Sequence, residues 1–143
     1  MTKKLGGVMA AISTPFTESG EIDEGALRTH IDFLLENGVH GLVPGGSTGE
    51  FAALSSAERK QLHEVVLSHT DGRVPVAPQT GSTSTADAIE LSKHAADHGA
   101  DAVLLVQPYY EPPTRDEVME YFHTVGTAAG VPVIAYNLPG VTG

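Results

Sequence analysis

Two hydroxyls stand side by side among glycines in the segment Gly45-Gly46-Ser47-Thr48-Gly49-Glu50. Glycines let backbone N–H groups approach a ligand closely, and adjacent hydroxyls can hold a carboxylate and relay a proton, so the segment reads as an anion cradle. No Lys follows it, as one would in a Walker loop, and its glycine spacing is not the dinucleotide G-x-G-x-x-G pattern. Taken alone, it is equally well a glycine turn feeding a helix. Three further stretches carry side chains fit for chemistry: Gln79-Thr80-Gly81-Ser82-Thr83-Ser84-Thr85, Pro108-Tyr109-Tyr110-Glu111-Pro112-Pro113 and Tyr136-Asn137-Leu138-Pro139-Gly140. Each has a plainer account, the first as a helix cap and the second as a stiff turn with two packed tyrosines. Tyr136 resists that account, because a phenol at the mouth of a buried strand needs a polar partner. Among seven histidines, His94 and His98 have the i, i+4 spacing that could clamp a metal on a helix. Asp87, Glu90 and Asp97 share that face and the H-E-x-x-H pattern is missing, so a solvated surface is expected there and no metal. His40, near a strand start, is expected to pack and not to react.

These groups need a scaffold, and the hydropathy pattern supplies one: strand-length apolar runs alternate with amphipathic helix-length segments. The pattern predicts five strands, at residues 7–12, 39–44, 74–78, 101–107 and 131–136, and four helices between them. Several of the strands are apolar nearly throughout, as a parallel sheet covered on both faces requires. Capping spacings mark helix starts at Ser55 with Glu58, Ser84 with Asp87 and Thr114 with Glu117, while Asp23 caps the first helix. Leu27, Ile31, Leu34 and Leu35 form the core-facing stripe of the first helix, and Val118, Phe122, Val125 and Ala129 that of the fourth. Gly38, Gly72, Gly99 and Gly130 stand where a left-handed residue would end each helix. The repeat of about thirty residues suits a closed barrel or an open doubly wound sheet, and length alone favours the open sheet. In both, the unusual residues fall after the strands, at the carboxyl ends that form the working face.

The 143 residues are 41% hydrophobic and 18% charged, enough to bury a core within one domain. A net charge of -10 repels nucleic-acid phosphates and anionic lipid, so neither is expected as a partner. The chain has no cysteine, which excludes disulfides and thiolate metal sites. The apolar run after Gly7 is too short for a signal segment or a membrane span, so a cytoplasmic location is the default.

The string from Gly45 to Glu50, followed by Phe51, Leu54 and Ser55 to Arg59, resembles the G-[ST]-T-G-E signature of the dihydrodipicolinate synthase/N-acetylneuraminate lyase family. Gly72-Arg73-Val74-Pro75-Val76, Gly99-Ala100-Asp101-Ala102, Pro108-Tyr109-Tyr110 and Tyr136-Asn137-Leu138-Pro139 match further stretches of the family in the same order. The resemblance implies an α/β fold, with residues 1–143 as a single N-terminal portion of a (β/α)8 barrel that is not closed. It also implies a Schiff-base aldolase or lyase acting on pyruvate or another 2-keto acid, with no cofactor and no metal. A protonated imine acts as electron sink, so such an enzyme needs an amine, a carboxylate seat and a proton shuttle. By the same resemblance Thr48, with Gly46 and Gly49, would seat the carboxylate. Ser47, Tyr110 and Tyr136 would relay the proton, with Tyr110 entering from a neighbouring subunit of a dimer-based tetramer.

Two departures bear on this expectation. Dihydrodipicolinate synthases place an arginine after Y-N-x-P to hold the second substrate's carboxylate, where this chain has Gly140-Val141-Thr142-Gly143. With Ser47 in place of the synthases' usual threonine, this favours a lyase of sialate or keto-deoxy sugar acid type; 4-hydroxy-tetrahydrodipicolinate synthase proper is the alternative. The family's imine-forming lysine lies on the sixth strand, and the four lysines here, Lys3, Lys4, Lys60 and Lys93, end no strand. The expectation is a truncated or split chain, inactive alone, whose first and last strands expose unpaired edges. The rival from another class is a noncatalytic half-barrel assembly module, or an open flavodoxin-like sheet holding a small anion at Gly45 to Gly49.

Overall fold

A computed structural model of the chain describes residues 4–111 and 113–142; Lys3, Pro112 and Gly143 of the segments above lie outside the described residues. Strand β1 (Met9–Ala11) pairs in parallel with β2 (Gly41–Val43), and β3 (Val103–Val106) pairs in parallel with β4 (Val133–Tyr136). Between the two pairs lies the segment 74–80, which bridges Leu42 through Val76 and Leu104 through Gln79, both in parallel. The spatial order therefore follows the chain: β1, β2, the bridging segment, β3, β4.

The third strand expected at 74–78 is thus a bridged segment and not a regular strand. Its odd residues bond toward β2, with Leu42 N–H donating to Pro75 O at 3.0 Å and Ala77 N–H to Leu42 O at 2.9 Å. Its even residues bond toward β3, with Leu104 N–H donating to Pro78 O at 2.8 Å. Pro75 and Pro78 have no N–H to give, so the ladder loses donors on both sides. Val76 N–H turns instead to the Asp101 carboxylate at 3.1 Å.

Helices α1 (Glu24–Glu36), α2 (Ser56–Thr70), α3 (Thr85–Asp97) and α4 (Arg115–Ala129) are the four expected, and the short α5 (Pro139–Thr142) is a fifth that the pattern did not show. Each predicted cap is in place. Asp23 accepts from Ala26 N–H and Ser84 from Asp87 N–H, while Ser55/Glu58 and Thr114/Glu117 form reciprocal boxes. The four helix-ending glycines all have φ between +70° and +92°, a region that L side chains avoid. Ser55→Ala is expected to lower stability by about 1 kcal/mol, read as a shift of the urea midpoint at constant slope.

Leu27, Ile31, Leu42, Leu62, Val66, Leu91, Val103, Leu105 and Val125 are fully buried between the strands and the helical layer. In α4 the stripe is led by Tyr121, Val125 and Ala129; Val118 and Phe122 are only half-buried. The described residues form no closed barrel, and no helix among them is long and apolar enough to cross a membrane.

Candidate active site

Every loop that follows a strand opens on the same end of the sheet. One cavity there, of about 130 Å³, is lined by Ser47, Phe51, Ala52, Gln79, Val106, Tyr109, Tyr136, Leu138 and Val141. Tyr136 ends β4, Ser47 follows β2, Gln79 ends the bridging segment and Val106 ends β3, so four consecutive units contribute. The walls are apolar apart from one hydroxyl, one amide and two phenols. An apolar cavity of about 150 Å³ admits a benzene-sized guest, so a three-carbon keto acid fits this one.

The expected site residues divide by position. Ser47 and Tyr136, more than eighty residues apart in sequence, both line this cavity. Gly46 and Gly49 are buried in the turn, with Gly49 N–H donating to Gly46 O at 3.0 Å. A Cβ on Gly49 would lie 3.0 Å from Gly45 N and from Ile12 O, so the turn leaves no room for a larger residue. Thr48 is exposed beside Ser47 and outside the cavity lining. The backbone N–H groups of Ser47 and Thr48 find no protein acceptor among the described residues. Tyr110, expected to serve a neighbouring subunit, is 85% exposed and outside this cavity's lining, which its neighbour Tyr109 joins.

Sequence reasoning passed over the residues that hold these loops together. Arg59, on the first turn of α2 and 5% exposed, donates from Nη2 to Gln79 O at 3.0 Å, Gln79 Oε1 at 2.6 Å and Gly81 O at 3.0 Å. Its guanidinium carbon lies 5.3 Å from the centre of the Phe51 ring, and Phe51 meets Tyr109 edge to face at 5.7 Å. One buried cation thereby ties the loop after β2, the loop after the bridging segment and the tyrosine loop into one wall. Gly81 permits the middle loop to approach β3, since a Cβ there would fall 2.7 Å from Val106 O. Thr14, buried in the loop after β1, donates to Gly49 O at 2.7 Å and fixes the cradle from the other side. A solvated arginine and a buried one look alike in a helical pattern. In the sequence Arg59 stood out only as the end of the family-like string, one residue after the capping Glu58.

Beneath the cradle His63 is fully buried, with Nε2 3.5 Å from where a Cβ on Gly45 would stand. Burial, then the nearby charges of Arg59 and His94, push its pKa from 6.5 down to about 3, offset only in part by the Gln79 backbone. The folded protein therefore holds His63 neutral, while the unfolded chain takes up a proton as pH falls below 6.5. The contribution is complete above pH 6.5 and is lost progressively toward pH 3, at a slope approaching about 1.4 kcal/mol per pH unit. Urea unfolding at pH 7, 6 and 5 is expected to show that decline, flattened in His63→Leu.

A run of parallel β/α units with a small mixed cavity at the carboxyl ends of its strands defines the class: an α/β barrel-type enzyme scaffold with its site on the loop face. The profile of the Dihydrodipicolinate synthetase family matches residues 4–143, and the chain belongs to that family. The 4-hydroxy-tetrahydrodipicolinate synthase of Methanothrix thermoacetophila is 46% identical over 137 residues, which cover 96% of this chain and 46% of that protein. Among solved structures, YagE, a prophage protein of the dihydrodipicolinic acid synthase family from E. coli K12 in complex with pyruvate, superposes with a TM-score of 0.93 at 39% identity, covering 95% of this chain and 46% of that one. CdNal from Clostridium difficile in complex with mannosamine superposes with a TM-score of 0.95 at 31% identity, covering 98% and 49%. The chain spans about half the length of the relatives it matches.

Proposed function

We propose that this chain carries the carboxylate seat and the proton relay of a Schiff-base lyase or aldolase acting on pyruvate or a related 2-keto acid. The observation that carries the reading is the meeting of Ser47 and Tyr136 in one small cavity at the carboxyl ends of the strands. The free N–H groups of Ser47 and Thr48, with the Thr48 hydroxyl, suit a carboxylate. Tyr136 is the residue best placed to pass a proton to or from the carbon skeleton, with Ser47 as its partner on the wall. Tyr110, exposed on its loop, is proposed to reach the site of a neighbouring subunit in a homo-oligomer.

The imine-forming amine is not one of the described lysines in this reading. Lys60 pairs with Glu90, Lys4 borders a different depression beside Gly6 and His40, and Lys93 sits on α3; none lines the cavity. Incubation of the 143-residue chain with pyruvate and borohydride, followed by intact-mass measurement, is expected to leave the mass unchanged. Adding a C-terminal half from the Methanothrix thermoacetophila relative is expected to yield one reduced adduct on that half. An adduct on Lys60 or Lys93 would overturn the assignment.

Val141 lines the cavity and offers no charge to a second carboxylate, which favours an uncharged hydroxylated aldehyde as the other substrate. Synthase activity proper is the second reading, favoured by the name of the Methanothrix thermoacetophila relative. Comparing turnover with a carboxylate-bearing and a polyhydroxylated aldehyde separates the two.

A further inference from the structure

Outside the cavity lining, one cluster of side chains takes no part in the chemistry above. His94, in the last turn of α3, and His98, its C-cap, face Glu64 of α2 with one ligating atom of each residue within 4.8 Å of the others. His94 Nε2 lies 2.8 Å from Glu64 Oε1, and His98 Nε2 lies 3.9 Å from the same oxygen. Bonds of about 2.0–2.1 Å to a tetrahedral Zn2+ set its ligand atoms about 3.3 Å apart. The two separations straddle that value, so small rotations would admit an ion.

The imidazoles are also oriented for the task. His98 Nδ1 donates to the His94 backbone carbonyl at 2.7 Å, which fixes its tautomer and leaves the Nε2 lone pair turned toward the cluster. The two rings lie 4.2 Å apart at 31°, and both Nε2 atoms approach the same Glu64 oxygen. Glu64 and His98 are half exposed while His94 is 17% exposed, an arrangement that lets an ion enter and keeps a fourth position for water. Histidine pairs one turn apart are common on solvated helices, and this pair alone predicted no metal. The third group comes from the neighbouring helix, thirty residues earlier in the chain, where spacing on α3 could not show it.

We propose that Glu64, His94 and His98 bind one late first-row divalent cation, Zn2+ foremost, which clips α2 to α3. Two imidazoles and a carboxylate suit Zn2+ over Mg2+ or Ca2+, which prefer oxygen-only shells. None of the three residues lines the cavity, so the ion acts on stability and takes no part in turnover. His94 Nδ1 is buried with no acceptor behind it, so this imidazole lacks the outer partner that would strengthen its hold on the ion.

The test uses chelator-stripped protein titrated with Co2+, read by the visible absorption of the tetrahedral ion, then displaced with Zn2+. One equivalent is expected to bind, and Zn2+ is expected to raise the melting temperature. His98→Gln and Glu64→Gln, both at exposed positions, are expected to weaken binding at least about tenfold and to abolish the thermal shift. His123→Gln, on the exposed face of α4, is expected to change neither. Absence of saturable binding in excess metal, or binding that His98→Gln leaves intact, would overturn the site.

Discussion

Tyr136→Phe is expected to lower pyruvate-dependent turnover by about 10²- to 10⁴-fold once the amine is supplied by a complementing C-terminal half. Tyr136 ends β4 and lines the cavity with Ser47, and removal of one oxygen leaves the lining nearly unchanged in shape. Imine formation depends on the amine and the carboxylate seat, so borohydride capture of pyruvate should persist in the variant. Turnover and capture therefore separate. Loss of both would place Tyr136 in binding, and loss of neither would remove it from the mechanism. Ser47→Ala should follow the same direction with a smaller effect, because a second hydroxyl or water can bridge where the first stood.

Arg59→Ala is expected to cost about 3 kcal/mol of stability. Its Nη2 serves three acceptors on two adjacent loops, and the deletion leaves Gln79 O, Gln79 Oε1 and Gly81 O buried without a donor. The Phe51 ring loses its cation as well, so the edge-to-face contact with Tyr109 should loosen and widen the cavity. Arg59→Lys restores the charge without the planar fork and should recover only part of the loss. Urea unfolding of the two variants beside the parent checks both statements; a midpoint unmoved in Arg59→Ala would show that the loops are held by other means.

The scaffold was legible where local chemistry decides conformation. Asp23, Ser55, Ser84 and Thr114 each cap the helix that their spacing predicted, because a cap is satisfied within four residues. The segment 74–78 misled, since its apolar run reads as a strand while Pro75 and Pro78 remove the donors that regular pairing needs. The segment 45–50 and Tyr136 were singled out by residue type, and Ser47 and Tyr136 both line the same cavity. Gln79 was noted only within its polar stretch, Arg59 only within the family-like string and Thr14 not at all, because their roles depend on partners twenty or more residues away. Tyr110 was expected, by resemblance alone, to enter the site of a neighbouring subunit, and in this chain it is exposed and outside the cavity lining. Glu64 illustrates the same limit, since its neighbours belong to another helix.

Neighbouring strands are also neighbours in the chain, in parallel throughout, so each β/α unit docks on the one made just before it. A protein built this way can assemble vectorially during synthesis: the first unit offers its edge as a template while the next leaves the ribosome, and no early segment waits for a distant one. Pulse-labelled nascent chains arrested after successive units should then gain protease resistance stepwise, one increment for each helix that closes over its strand.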